Sequence, residues 1–318
     1  MRIFNFYDDY RRVGRNDGAP MYATRVLREM GHDVLHLVPD AKLLEGVGRA
    51  DLYLWIDWGE DALKGVLDYE PIRCPTDAPS VYWTSDTHLG FDYRLAKARE
   101  FSNVFCMQKQ AAEDFRANGV ASAQWLPHAF EPLAYPKHTM VKDYDVCFVG
   151  HLNSMNRIDF LDRMFKEFPN FWFGRRIFEQ AAEIYCRSKI VLNPPIKHEA
   201  NMRLWESLGC GSFCLTENFP SIKELFKDGV HLVTYENEKD AIEKAKYYLE
   251  HDAEREKIAE AGYNWVKQTG TYKHRMTEIL KKTGLEIGAN EINEHGCESW
   301  RLPVSEAVDV LKRVEIAS

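Results

Sequence analysis

Three consecutive segments decide the fold: Lys189-Ile190-Val191-Leu192-Asn193, then Asn201-Met202-Arg203-Leu204-Trp205-Glu206-Ser207-Leu208-Gly209, then Ser212-Phe213-Cys214-Leu215-Thr216. The first and third are short apolar runs and read as strands. The middle one reads as a helix. A helix inserted between two strands is a crossover, and crossovers of this kind join parallel strands. Strands buried on both faces read as nearly continuous apolar runs, as these do.

The same alternation extends in both directions. Upstream, Asp145–Gly150, Asn170–Phe173 and Lys189–Asn193 are strands, with helices Met155–Phe168 and Ile177–Arg187 between them. Downstream, Val230–Thr234 is a further strand, and Glu238–His251, Ala253–Thr269 and Thr271–Lys282 are charged helices. The first part of the chain repeats the rhythm with strands Ile3–Tyr7, Asp33–Val38, Asp51–Ile56, Ser80–Ser85, Asn103–Met107 and Ala123–Leu126. Its helices are Ala19–Met30, with Tyr22, Val26 and Met30 at four-residue intervals and Gly31 closing it, and Lys109–Asn118. Residues 127–144 break the pattern with Pro127, Pro132 and Pro136. The expected organisation is therefore two α/β domains, residues 1–130 and 144–283. A linker over 131–143 joins them, and a tail over 284–318 carries a last amphipathic helix, Val304–Val314. In open α/β sheets ligands bind beyond the carboxyl ends of the strands. Functional residues are sought in the loops that follow strands, and two such domains are expected to face a shared cleft.

Composition narrows the classes. The chain has 318 residues, 45% hydrophobic and 28% charged, which excludes disorder and low-complexity architectures. At roughly 150 residues per domain this length fits two domains. Asp and Glu total 49 against 41 Lys and Arg, a net charge of −8, which disfavours binding to nucleic acid or anionic membrane by charge alone. No run approaches the ~18 apolar residues of a membrane-spanning helix. The start, Met1 to Asp9, turns acidic too early for a signal peptide. The seven cysteines lack any C-x-x-C pair, and Cys106, Cys147, Cys186, Cys210 and Cys214 sit in apolar segments. They read as buried thiols in a reducing cytoplasm.

The stretch from Asn201 to Glu217 resembles the nucleotide-sugar core of the GT-B glycosyltransferases, in the group-1 branch that includes spore-maturation CgeB-like proteins. The resemblance continues through Glu224–Gly229, Tyr247–Leu249, Arg255–Gly262 and Thr271–Arg275, spanning about residues 144–282. The first half matches more loosely, at Gly31–Val34 and Tyr82–His88. The resemblance implies two Rossmann-like doubly wound domains with a helical C-terminus. It implies a transferase that moves a sugar from a nucleotide donor to an acceptor hydroxyl, with retention of configuration. It also implies a metal-independent enzyme with no cofactor besides the donor substrate.

The residues follow from that resemblance. Glu206 matches the second Glu of the family's E-x(7)-E motif, whose carboxylate takes the ribose hydroxyls. The first Glu falls at position 198, where this chain has His198, with Glu199 beside it. The family's Arg and Lys that bind the diphosphate fall at His151 and Arg157. A leaving diphosphate develops negative charge that cations stabilise. Arg203 and Asn201, at the start of the Glu206 helix, and Arg175 and Arg176, after the strand ending at Phe173, are further donor-side candidates. On the acceptor side Gly14 and Gly18 follow the first strand, and Asp86 and His88 follow Ser80–Ser85, placed to orient or deprotonate a hydroxyl. Asp57 and His128 are lesser candidates of the same kind. The acceptor itself is open among a polysaccharide, a protein, a metabolite and a modified nucleic-acid base.

Other signals are weaker. Asp143-Tyr144-Asp145 spells D-x-D but precedes a strand, where a metal motif follows one. His198-Glu199-Ala200-Asn201-Met202 starts like H-E-x-x-H and ends in Met. Trp55, Trp58, Trp83 and Trp125 read as core or wall residues. Two other functions fit the same pattern: a sugar-nucleotide epimerase, and a degenerate protein that binds nucleotide or a partner without catalysis, for which His151 and His198 speak.

Overall fold

The computed structural model describes residues 1–6, 18–37, 46–57, 73–152, 155–197 and 199–285. Gly14, Trp58, His198 and the segment Val304–Val314 lie outside the described residues. The chain divides into two compact units. One comprises residues 1–106, 112–124 and from 276 onward, the other residues 107–111 and 125–275.

The first unit carries β1 (Arg2–Phe6), α1 (Ala19–Glu29), β2 (Asp33–Leu37), β3 (Leu52–Asp57), β4 (Ser80–Thr84), α2 (Phe91–Ala98), β5 (Asn103–Cys106), α3 (Lys109–Ala117) and β6 (Ala123–Trp125). The start of α3 and Trp125 belong to the second unit. The described strands form one sheet in the order β2-β1-β3-β4-β5-β6. The strands β2, β1, β3, β4 and β5 run parallel. All six residues of β3 are buried, as a strand covered on both faces requires. Helix α1 covers β1 with Tyr22, Ala23, Val26 and Leu27, spaced three to four residues apart. Asn5, fully buried in β1, satisfies its amide by donating to Pro20 O and Thr24 Oγ1, both at 2.8 Å.

The second unit continues with β7 (Tyr144–Val149), α4 (Met155–Glu167), β8 (Phe171–Gly174), α5 (Phe178–Cys186), β9 (Ser188–Asn193), α6 (Met202–Gly209), β10 (Phe213–Glu217), α7 (Ile222–Leu225), β11 (Val233–Tyr235), α8 (Glu238–Glu250), α9 (Asp252–Thr269) and the first turn of α10 (Tyr272–Lys282), whose remainder, from Met276, belongs to the first unit. Its sheet is parallel, in the order β11-β10-β9-β7-β8. The two-residue period of the strands sorts side chains between two cores. Cys147, Val149, Val191 and Cys214 face Tyr185, Trp205, Leu208 and Val266. Val146, Phe148, Ile190, Leu192 and Phe213 face Leu161, Met164, Ala241, Ala245 and Ile258. Each fully buried side chain of this size contributes about 1.5–3 kcal/mol, so both layers hold the sheet.

Three elements differ from the sequence-based expectation. The strand expected at Val230–Thr234 starts later, at Val233, because Asp228 and Leu232 close a turn through Gly229, whose φ is 69°. Helices α2 and α7 were not expected. Among the described residues no helix is long and apolar enough to cross a membrane. The six described cysteines are free and buried.

Candidate functional site

Taking each unit's strands in chain order, both sheets run second-first-third-fourth-fifth, and the first sheet adds β6 at its edge. In this topology the winding reverses between the first and third strands, and the crevice beyond their carboxyl ends is where such sheets bind ligands. In the second unit that point lies between β7, ending at Val149, and β9, ending at Asn193.

Two arginines occupy it. Arg203, in the first turn of α6, donates from Nε to Val149 O at 2.6 Å and from Nη1 to Asn193 Oδ1 at 2.7 Å. Arg157, in the first turn of α4, donates from Nη1 to His151 O at 3.0 Å and from Nη2 to Pro194 O at 2.8 Å. Both guanidinium groups lie over the Phe148 ring, at 4.4 Å for Arg203 and 5.5 Å for Arg157. Gly150 makes room for this: a Cβ there would fall 2.2 Å from Arg203 Nη2. Burial, with the charge of Arg203 adding to it, lowers the Arg157 pKa to about 10. All four of these hydrogen-bond acceptors are uncharged. They orient the guanidinium groups, and the two on Arg203 do so while leaving its positive charge in place.

The neighbouring candidates fall around this pair. His151 is exposed, and partial burial followed by Arg175, Arg157 and Arg203 lowers its pKa, so all three arginines act on it. Arg176 lies over Trp172 at 5.5 Å and bonds the Arg175 carbonyl. Asn201 caps α6, its Oδ1 accepting from Leu204 N, and its Nδ2 donates to Asn193 Oδ1 at 3.0 Å. Glu199 is half-buried beside it.

Glu206 lies one turn along α6 from Arg203 and is 8% exposed. Burial pushes its carboxyl up to about 7, against hydrogen bonds from Tyr135 and Tyr185 and the charge of Arg203. The structure thus gives Glu206 protein partners that sequence reasoning did not anticipate. Arg203 is the charge that acts on both Glu206 and Arg157.

In the first unit Asp86 follows β4 in the left-handed conformation, with φ 47°. It precedes the Thr87–Leu89 turn without capping it through its side chain. Its carboxyl pKa is raised by desolvation, against the pull of His88 and Arg94. His88 is exposed in the same turn. Gly18 precedes α1 with φ 100°.

Asp57 serves a different purpose. It is buried at the end of β3, forms an ion pair with Arg94, whose Nε lies 2.8 Å away, and accepts hydrogen bonds from Tyr82 Oη at 2.6 Å and Thr84 Oγ1 at 3.0 Å. It is the anchor that pulls α2 onto the sheet. His128 is buried, its ring 3.5 Å from Gln108 Nε2, and burial drops its pKa to about 3. Of the D-x-D pair, Asp143 meets Arg187 at 2.5 Å and Asp145 meets Lys189 at 2.7 Å. Both flank the amino end of β7, away from the strands' carboxyl ends. Among the described residues no three His, Cys, Asp or Glu side chains gather as a metal site. Sequence reasoning missed Phe148, Asn193 and Thr216. The one sequence signal was a polar residue ending an otherwise apolar strand at each of Asn193 and Thr216.

Residues 143–281 match the family described as glycosyl transferase-like. No curated protein matches the chain. Among solved structures, HepE of Anabaena in complex with UDP and glucose is 12% identical over 89% of this chain and 99% of that one, with a TM-score of 0.61. The DNA-modifying β-glucosyltransferase, with and without UDP-glucose, is 15% identical over 89% and 99%, with a TM-score of 0.60. Sucrose-phosphate synthase of Thermosynechococcus elongatus is 8% identical over 89% and 98%, also at 0.60. At these identities the likeness is one of fold, two parallel Rossmann-like sheets. Residues 143–281 are thus similar to a glycosyl transferase-like family, and the fold that carries them is the GT-B fold of these solved structures.

Proposed function

We propose that this chain transfers a sugar from a uridine diphosphate donor to an acceptor hydroxyl. The observation that carries the proposal is the Arg157–Arg203 pair at the switch point of the second sheet, tethered by uncharged oxygens. Breaking the glycosidic bond leaves negative charge on the diphosphate, and preorganised cations lower the barrier to that charge. Arg203, partly exposed, meets the phosphates. Arg157, nine-tenths buried, adds charge from behind. His151 and Arg175 stand at the rim, Glu199 and Asn201 toward the sugar, and Glu206 toward the ribose. Uridine is favoured because HepE was solved with UDP and glucose and the DNA β-glucosyltransferase with UDP-glucose.

In the first unit Asp86 is the favoured residue to orient the acceptor hydroxyl, from its position just after β4. His88, Gly14 and Gly18 complete the proposed acceptor side. Retention, with a donor phosphate oxygen taking the acceptor proton and Asp86 orienting the hydroxyl, is the stereochemical form of the proposal. It follows the CgeB-like resemblance. Cytoplasmic residence is supported by the six free thiols.

A thermal-shift comparison of nucleoside diphosphates tests the donor. A selective ligand raises the melting temperature by mass action, so UDP should stabilise the protein more than ADP or GDP. Equal shifts for all three would remove the uridine assignment. NMR of the transfer product should show the donor's anomeric configuration; the opposite anomer would overturn retention.

A further inference from the structure

The Arg203 guanidinium and the capped start of α6 meet on one side chain. Asn193 ends β9 and is fully buried. Its Oδ1 accepts from Arg203 Nη1 at 2.7 Å and from Asn201 Nδ2 at 3.0 Å. Its Nδ2 donates to Thr216 Oγ1 at 3.0 Å, at the carboxyl end of β10. The orientation of this amide is forced. Arg203 only donates, so the atom facing it is the oxygen, and the nitrogen must then face Thr216. Asn201, held this way, turns its own oxygen to the backbone of α6 and caps it.

We infer that Asn193 is a positioning residue for donor binding, a neutral latch that aims Arg203 and the amino end of α6 at the diphosphate while leaving the arginine's charge in place. The neutrality matters. Aspartate has the same shape and would hold Arg203 more tightly, but its charge would cancel the one the phosphates need. An apolar residue would leave the cation without its partner and α6 with a loosened cap. An uncharged amide meets both demands, and Thr216 fixes which way it points. This inference rests on the diphosphate reading of the site.

The test uses the full chain with Asn193→Ala and Asn193→Asp. Calorimetry measures UDP, uridine and inorganic pyrophosphate against each variant and the wild type. The expected result is a tenfold or greater loss of UDP affinity in both variants with uridine affinity within twofold of wild type. Asn193→Asp should lose at least as much UDP affinity as Asn193→Ala although it keeps the hydrogen bonds to Arg203 and Asn201. Wild-type UDP affinity in either variant overturns the inference. So does an equal loss for UDP and uridine, which is what a merely structural residue would give. If Asn193→Ala does not fold, the isosteric aspartate variant alone decides. Pyrophosphate separates the two claims. Binding of pyrophosphate without UDP by the wild type overturns the uridine reading, and the variants then judge Asn193 on pyrophosphate. Binding of neither by the wild type overturns both.

Discussion

At the scale of single residues, the buried carboxyl of Glu206 has a measurable consequence. Its ordinary value near 4.5 is pushed up to about 7, mainly by burial. Below pH 4.5 the group is protonated in folded and unfolded chains alike and costs nothing. As pH rises from 4.5 to 7 the unfolded chain ionises first, so stability falls, and above 7 the penalty is constant. A shift of this size corresponds to about 3 kcal/mol. Glu206→Gln mimics the protonated form. Its unfolding free energy should therefore fall less than that of the wild type between pH 5 and pH 8. Superimposable pH profiles from denaturant titration would contradict this account of Glu206. Asp57 makes the opposite case. It and Arg94 are both almost wholly buried and form an ion pair. Asp57→Ala should cost about 3–5 kcal/mol, read as a lowered midpoint of unfolding; a loss under 1 kcal/mol would show that the pair is not the anchor of α2.

At the scale of elements, Gly150 sets how closely α6 approaches β7. A methyl group there meets the Arg203 guanidinium at 2.2 Å, which pushes the side chain off Val149 and Asn193. Gly150→Ala should weaken UDP binding several-fold, by calorimetry, with the far-ultraviolet circular dichroism unchanged; undiminished affinity would show that Arg203 has another way to reach the phosphates. The strands were legible in the sequence because burial on both faces leaves apolar runs: Leu52–Ile56 in β3, Val146–Val149 in β7 and Ile190–Leu192 in β9. Helix α2 was not, because Arg94 is buried on it beside Leu95 and Ala98, and that burial depends on Asp57 far away in sequence. Helix α7 has only four residues, too few to show a period. The start of β11 was misjudged because Val230 and Leu232 are apolar but belong to the turn through Gly229. In the site, Arg157 was proposed through the family resemblance and Arg203 through its place near the start of the Glu206 helix. Asn193 was not: it reads as the last residue of a strand, and only the fold brings Arg203, Asn201 and Thr216 to it.

At the scale of the molecule, two parallel sheets with one winding order each present a switch point. In the second, four elements, β7, β9, α4 and α6, converge two guanidinium groups on a single aromatic ring. That convergence, with the family match over residues 143–281, is what the functional account rests on. Its most direct test is calorimetric titration of UDP into the wild type and Arg203→Ala side by side. The account predicts a saturable one-to-one isotherm for the wild type and at least a tenfold weaker one for the variant. UDP binding of equal strength in both proteins would contradict it.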